Sequence, residues 1–77
     1  MRRSSADVRL TLYIGATSYR VAQISADFFI LSQEARLPGT SGIVCIQIDE
    51  YEKREVATWE ASEAPRRMVK AAFAPVV

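Results

Sequence analysis

Side chains able to act as nucleophiles, bases or metal ligands are scarce in this chain. It has no histidine and a single cysteine, Cys45. Without histidine the Ser-His and Cys-His arrangements of nucleophilic catalysis are excluded, as is any ordinary zinc site that contains histidine. A single thiol cannot hold a metal ion by itself. We therefore expect no catalytic residue, no metal, no cofactor and no enzymatic activity.

Acidic side chains fall close together at two places. Asp49, Glu50 and Glu52 form one group, and Glu60 and Glu63 form the other. Paired carboxylates can serve in acid–base catalysis or bind calcium, but the Asp-x-Asp-x-Asp-Gly spacing of a calcium loop is absent. We interpret both groups as solvated acidic turns.

The turn-rich segment from Leu37 to Gly42 contains two glycines, with Thr40 and Ser41 between them. Its backbone N–H groups could face a phosphate. No Gly-x-x-x-x-Gly-Lys pattern and no following helix accompany it, however. We interpret the segment as an ordinary loop between two strands.

Tyrosines flanked by arginines near the start of the chain could bind a nucleotide or nucleic acid on the exposed side of a hairpin. Such rings can stack on bases, although the same pairs also stabilise plain sheets. A short basic cluster, Arg66, Arg67 and Lys70, follows Pro65. The ligand contacts that this hypothesis selects are Arg9, Tyr13, Tyr19, Arg20, Arg66 and Arg67.

The length of 77 residues is enough for one domain, residues 1–77, with one core. A domain this small buries only about 60% of the surface that its unfolded chain exposes, so we expect marginal stability. Disulfides, metals or self-association often compensate. Only self-association is open to a chain with one cysteine and no histidine. We therefore expect a homo-oligomer or a complex with a partner protein.

Charge nearly cancels over the whole chain, with a net charge of +1, but it is unevenly distributed. Residues 1–20 and 64–77 are basic, whereas residues 21–63 are acidic. Basic ends that meet in space could attract a polyanion, and charge complementarity within or between subunits explains the pattern equally well. No apolar run is long enough to span a bilayer. We expect a cytoplasmic protein without membrane contacts, as the unpaired cysteine also suggests.

A β-hairpin is predicted from about Val8 to Ile24. Apolar residues at every second position of Val8–Ile14 indicate a strand with one buried face. A short turn then leads into a returning strand, Tyr19–Ile24. Strict alternation gives this second strand one face with Tyr19 and Val21 and another with Ala22 and Ile24.

Two further apolar runs, Phe28–Leu31 and Ile43–Ile48, indicate strands on either side of the glycine-containing loop. The first run is continuous and rich in aromatic and β-branched residues. We therefore expect a strand covered on both faces by a second layer or by a closed barrel. In the second run, alternation places Val44, Ile46 and Ile48 on one face.

The segment 52–64 is ambiguous between helix and strand. Local propensity and the pair Asp49 and Glu52, which resembles a helix N-cap, favour a helix. The preceding strands, and the β-branched residues beside Trp59, favour a strand from Arg54 to Ala61. We adopt the strand and keep the helix as the alternative.

The residues after Pro65 alternate in a way that predicts a closing strand, with Val69, Ala71 and Phe73 on one face. If it were unpaired, this segment would leave an apolar edge that invites a partner. A lone tryptophan in a small domain is usually a core residue or an interface anchor. The candidate interface residues are Trp59, Phe73, Val76 and Val77.

The segment from Ser25 to Thr40 resembles the middle of PilZ-type domains. It has a serine, two spacer residues, an aromatic-aliphatic strand, a polar stretch and then Leu-Pro-Gly-Thr. Members of that family are small bacterial β-barrels, many of which bind cyclic di-GMP. The resemblance implies a six-stranded barrel.

The ligand motifs of that family are not matched. Of the motif Asp or Asn, any residue, Ser, two residues, Gly, only Ser25 is present. The motif of two arginines separated by three residues is missing, since Arg3 is followed by Asp7 and Arg9 by Tyr13. The resemblance therefore argues against nucleotide binding, because the arginine pair that grips phosphate and base is absent. It implies a role through protein contacts.

Taken together, these patterns predict a mainly β protein: a single small antiparallel β-barrel or roll of about six strands, with a helix at 52–64 as the alternative. Residues 1–5 are expected to be frayed. The expected function is that of a non-catalytic interaction module, which acts through self-association or through a partner protein. The alternative is a ligand-sensing domain that binds a nucleotide or nucleic acid through its Arg and Tyr residues.

Overall fold

A computed structural model of the protein describes residues 7–76, which form seven β-strands and no helix. All strand pairs are antiparallel, so the predicted mainly β class is confirmed and segment 52–64 is not helical. The strands are β1 (Val8–Ile14), β2 (Thr17–Ile24), β3 (Phe28–Ala35), β4 (Ser41–Ile48), β5 (Tyr51–Thr58), β6 (Arg66–Lys70) and β7 (Ala72–Pro75). Residues 1–5, which we expected to be frayed, lie outside the described range.

The strands form one curled sheet, a half-barrel, in the order β6-β3-β2-β1-β4-β5-β7. Two segments turn its corners. Strand β2 pairs with β1 up to Arg20 and with β3 from Val21 onward. The end of the chain does the same, because β6 pairs with β3, β7 pairs with β5, and only Ala71 separates them. Strands that change partner at a bulge or bend form corners of this kind.

A β-bulge at Ala22 changes which side chains of β2 point inwards. Strict alternation predicted Ile24 on the face opposite Tyr19 and Val21. The register shifts between Val21 and Gln23, and Ile24 therefore packs against the core on the same side as Tyr19. The prediction for Ile24 is wrong because one extra residue in a strand reverses the faces that follow it.

The core lies inside the curl and is centred on Phe29, which is fully buried. Its ring meets the ring of Trp59 edge-on, with 5.9 Å between centroids, and that of Phe73 at 6.4 Å. The indole N–H of Trp59 donates to the backbone oxygen of Gly39 at 3.0 Å, so the buried ring has its polar atom satisfied. The buried cluster comprises Leu12, Val21, Phe29, Leu31, Leu37, Val44, Ala57, Trp59, Val69 and Ala71.

Strand β3 is covered on its inner face alone. Phe29 and Leu31 are buried, whereas Phe28 and Ile30 point to the outer face and are half-buried. We expected cover on both faces, from a second layer or a closed barrel, but among residues 7–76 only the inner face is fully covered. Because the sheet curls, residues of the other strands cover the inner face of β3, whereas its outer face is in contact with solvent.

Strand β5 begins earlier than predicted. It starts at Tyr51, directly after a two-residue turn at Asp49 and Glu50, and it ends at Thr58. The predicted strand from Arg54 to Ala61 is therefore right in type and displaced along the chain. No helix that could cross a membrane occurs in the described range.

A glycine on β4 allows β1 and β4 to approach closely. A Cβ atom at Gly42 would lie 2.8 Å from the backbone oxygen of Tyr13 and about 3 Å from the side chains of Leu12 and Ile14. Because a backbone carbonyl in a paired strand cannot move aside, added volume must displace the strand.

We expect the Gly42→Ala variant to unfold with a free energy about 1–3 kcal/mol lower than that of the wild type. The measurement is urea denaturation followed by circular dichroism. The dependence of the free energy of unfolding on urea concentration should be the same for the variant and the wild type. Ser41→Ala, at the exposed neighbouring position, is the control and should stay within about 0.5 kcal/mol of the wild type. Equal urea midpoints for the wild type, Gly42→Ala and Ser41→Ala would contradict this prediction, because β1 and β4 could then move apart without loss of stability.

Candidate interaction surface

The ends of three strands project beyond the closed part of the sheet. Pairing of β4 with β5 continues as far as Ile48 and Tyr51, and pairing of β1 with β4 continues to Val8 and Ile48. Strand β7 pairs with β5 only over Glu55–Thr58. We call the projecting part the ledge; it consists of residues 8–10, 46–48 and 51–53.

The inner face of the ledge carries a row of exposed apolar side chains. Val8, Ile48 and Tyr51 lie side by side across the three strands, and 54%, 39% and 62% of their surfaces are exposed. They share the face of Leu12 and Val44, which lie four residues further along each strand and are fully buried. The row is thus the continuation of the core face, at a point where no strand of residues 7–76 covers it.

Between this row and the closed core lie Leu10 and Ile46, which are partly buried and pack against the core cluster. The ionic groups on the same face of β5 are Lys53 and Glu55, and their charged atoms are 3.4 Å apart. The inner face of the ledge is therefore apolar and close to neutral. Contiguous exposed apolar surface rimmed by polar residues marks sites of interaction.

The outer face of the ledge is polar. Arg54 donates to Glu52 at 2.8 Å, and Gln47 donates to the other oxygen of that carboxylate. The carboxylate of Glu52 raises the pKa of Arg54 above its usual value, and Cys45 adds a smaller effect in the same direction. Cys45 itself is buried although it lies on this face, between Thr11 and Arg54 in the sheet.

The tip of the ledge is held by Asp49. This residue has a φ of +54°, in the left-handed region that few residues other than Gly, Asn and Asp adopt. Its carboxylate accepts the backbone N–H of Asp7 at 3.0 Å, and its own N–H donates to the backbone oxygen of Asp7, also at 3.0 Å. These two hydrogen bonds prolong the β1–β4 pairing by one step to the turn.

The residues proposed as ligand contacts do not converge on one site. Tyr13 lies on the outer face of the sheet and Tyr19 on the inner face, where it packs against the core. Arg9 and Arg20 line a common cavity of about 190 Å³, which is smaller than the roughly 300–1,000 Å³ of ligand sites. Arg20 also lines a cleft of about 450 Å³ together with Tyr19.

The two arginines of β6 lie elsewhere and are engaged with backbone oxygens. Arg66 donates to the backbone oxygen of Glu60 at 2.8 Å, and Arg67 donates to that of Leu31 at 3.2 Å. Of the six residues, Arg20 thus shares one cavity with Arg9 and another with Tyr19.

Two of the four residues proposed as interface anchors are packed in the core. Trp59 is buried in the core, and Phe73 is paired with Ala57 and packs against Phe29. Val76 is exposed, and Val77 lies outside the described residues. The exposed apolar row of the ledge was not selected from the sequence, because alternation in β1 and β4 marks Val8 and Ile48 as core positions. The one feature visible in the sequence was an aromatic residue, Tyr51, directly after the acidic pair Asp49 and Glu50.

The other motifs considered from the sequence have structural roles or none. Within residues 7–76 no three His, Cys, Asp or Glu side chains are grouped closely enough to hold a metal ion. The loop around Gly39 uses a carbonyl oxygen, rather than N–H groups, to bind the indole of Trp59. Comparison with known proteins adds nothing: no protein-family model, curated protein or solved structure matches the chain.

Substitutions at Asp49 separate its two contributions to the ledge tip. Asp49→Ala loses both the acceptor for Asp7 and the tolerance of positive φ, and should lower the free energy of unfolding by about 1–2 kcal/mol. Asp49→Asn keeps both and should remain within about 0.5 kcal/mol. Asp49→Gly keeps the φ alone and should fall between them. Urea denaturation measures all three, and an Asp49→Ala variant as stable as the wild type would contradict this role.

Proposed function

We propose that the protein is a non-catalytic interaction module that self-associates through the inner face of the ledge. The observation that carries this proposal is the row of Val8, Ile48 and Tyr51, which continues the core face and is exposed. Covering this row removes apolar surface from water, which is the main favourable term in protein association.

A second copy of the chain is the occupant that the observations favour. The chain has a small core, one free cysteine and therefore no internal disulfide, and small domains of this kind commonly gain stability by oligomerisation. The inner face is also suited to its own copy, because Lys53 and Glu55 neutralise each other and leave no unpaired charge to be buried.

The charges at the tip indicate how two copies are arranged. Asp7, Asp49 and Glu50 are all exposed at the end of the ledge. Arg9 lines a cavity with Asp7 and Asp49, so each tip carries three carboxylates and one guanidinium. Two such tips still repel each other, and a two-fold contact therefore places them at opposite ends of the interface. Each row then packs against the ledge of the other copy, face to face.

The resemblance to PilZ-type domains and a cytoplasmic location are part of the same proposal. The first is supported by the segment from Ser25 to Thr40 and is compatible with a curled antiparallel sheet. The second is supported by the single unpaired cysteine. Both agree with a role through protein contacts rather than through chemistry.

A charge placed in the apolar row tests the proposal. In sedimentation-velocity experiments over a concentration series, the wild type should form a dimer whose weight fraction rises with concentration. Ile48→Lys should raise the dissociation constant at least about tenfold, because a lysine would be buried without a partner. Ile48 is partly exposed, so the variant should retain its fold, as circular dichroism would verify.

The matched control is Met68→Lys, which places the same charge at another exposed apolar residue, 53% exposed on the outer face of β6. This variant should dimerise like the wild type. A wild type that stays monomeric at the highest concentration reached, or equal weakening by both substitutions, would refute self-association through the ledge.

A further inference from the structure

One stretch of β3 lies outside the ladders with both of its neighbouring strands. Pairing with β2 ends at Val21 and Leu31. Pairing with β6 stops at Ile30 and resumes only at Ala35. Residues 32–34 therefore keep the extended conformation although no ladder partner is found for them among residues 7–76. Extended backbone with free N–H and C=O groups is a template for adding another strand.

The direction of these backbone groups follows from their neighbours. The oxygen of Phe28 accepts the N–H of Ser25, so the polar groups of Phe28 point toward β2. Directions alternate along a strand, and Leu31 accordingly points the other way, where its oxygen accepts from Arg67. The N–H of Ser32 therefore points toward β2, because it lies opposite the oxygen of Leu31 across one trans peptide unit.

A cleft of about 450 Å³ lies on that side, between the diverging strands. Tyr19 and Arg20 of β2 line one wall, and Ser32–Ala35 of β3 line the other. The volume is within the range of sites for small ligands. We call this cleft the slot.

Charge in the slot is divided between its two ends. Arg20 is exposed on the outer side beside Ser32, and Arg9 shares a neighbouring cavity with it. Glu34 lies two residues further along β3. A bound segment thus meets Arg20 at one end, and at the other end Glu34, which precedes Ala35, the partner of Arg66 in the sheet.

We infer that the slot binds a short extended peptide of a partner protein, which adds to β3 as a strand and places an acidic side chain against Arg20. Backbone hydrogen bonds to the stretch 32–34 supply the affinity. The charge-assisted contact with Arg20 sets the register, as in other cases of strand addition. This site is independent of self-association through the ledge, which involves different strands.

Three capped pentapeptides test the inference on the intact protein. The first is acetyl-Thr-Val-Glu-Val-Thr-amide, the second has Lys in place of Glu, and the third is the first peptide with both valines N-methylated. Two-dimensional NMR titration should show saturable shifts of the amides in 17–20 and 32–34 for the first peptide. Both other peptides should bind at least about tenfold more weakly. Amide exchange at Ser32 should slow when the first peptide is bound.

Two protein variants complete the test. Arg20→Glu should weaken binding of the glutamate peptide at least about tenfold and improve binding of the lysine peptide. Lys70→Glu, an equal charge change at an exposed residue of β6, should leave both affinities unchanged. Absence of saturable shifts, shifts located away from the slot, or equal binding of the N-methylated peptide would overturn the inference.

Discussion

The contact of Phe29 with Trp59 and Phe73 is the interaction on which the rest of the structure depends. Phe29 belongs to β3, Trp59 follows β5, and Phe73 belongs to β7, so the three rings join parts of the sheet that are far apart in strand order. Edge-on aromatic pairs contribute about 0.5–1.5 kcal/mol each beyond the area that they bury. The bulge and the changes of strand partner bend the sheet, and this contact holds the bent sheet together across its interior.

Both surfaces described above arise where strands differ in length or direction. The β4–β5 hairpin is longer than the strand that closes it, and the excess becomes the ledge. Strand β2 pairs with β1 up to Arg20 and with β3 only from Val21 onward. The gap between β2 and β3 before Val21 is the slot. In each case pairing between neighbouring strands ends, and apolar side chains or extended backbone lie outside the paired part of the sheet.

The sequence predicted the local elements well because they depend on local patterns. Alternation in Val8–Ile14 and Ile43–Ile48 identified two strands with their correct inner faces, and β-branched residues beside Trp59 favoured a strand over a helix. The bulge at Ala22 and the unpaired stretch 32–34 could not be predicted in this way, because both result from pairing between distant segments.

The candidate surface was missed for a related reason. Sequence patterns single out aromatic residues such as Trp59 and Phe73 as anchors, and these found partners in the core. The residues left exposed, Val8 and Ile48, look like core residues in every local respect. Whether a strand position is covered depends on how far the neighbouring strand extends, and that length is not encoded near the position itself.

Strand β7, an edge of the sheet, ends in Pro75. Proline has no N–H and is a poor template for another strand. The other edge, β6, carries Arg66, Arg67 and Lys70, which repel an identical strand. Endless edge-to-edge growth into fibrils is thereby disfavoured at both margins of the sheet.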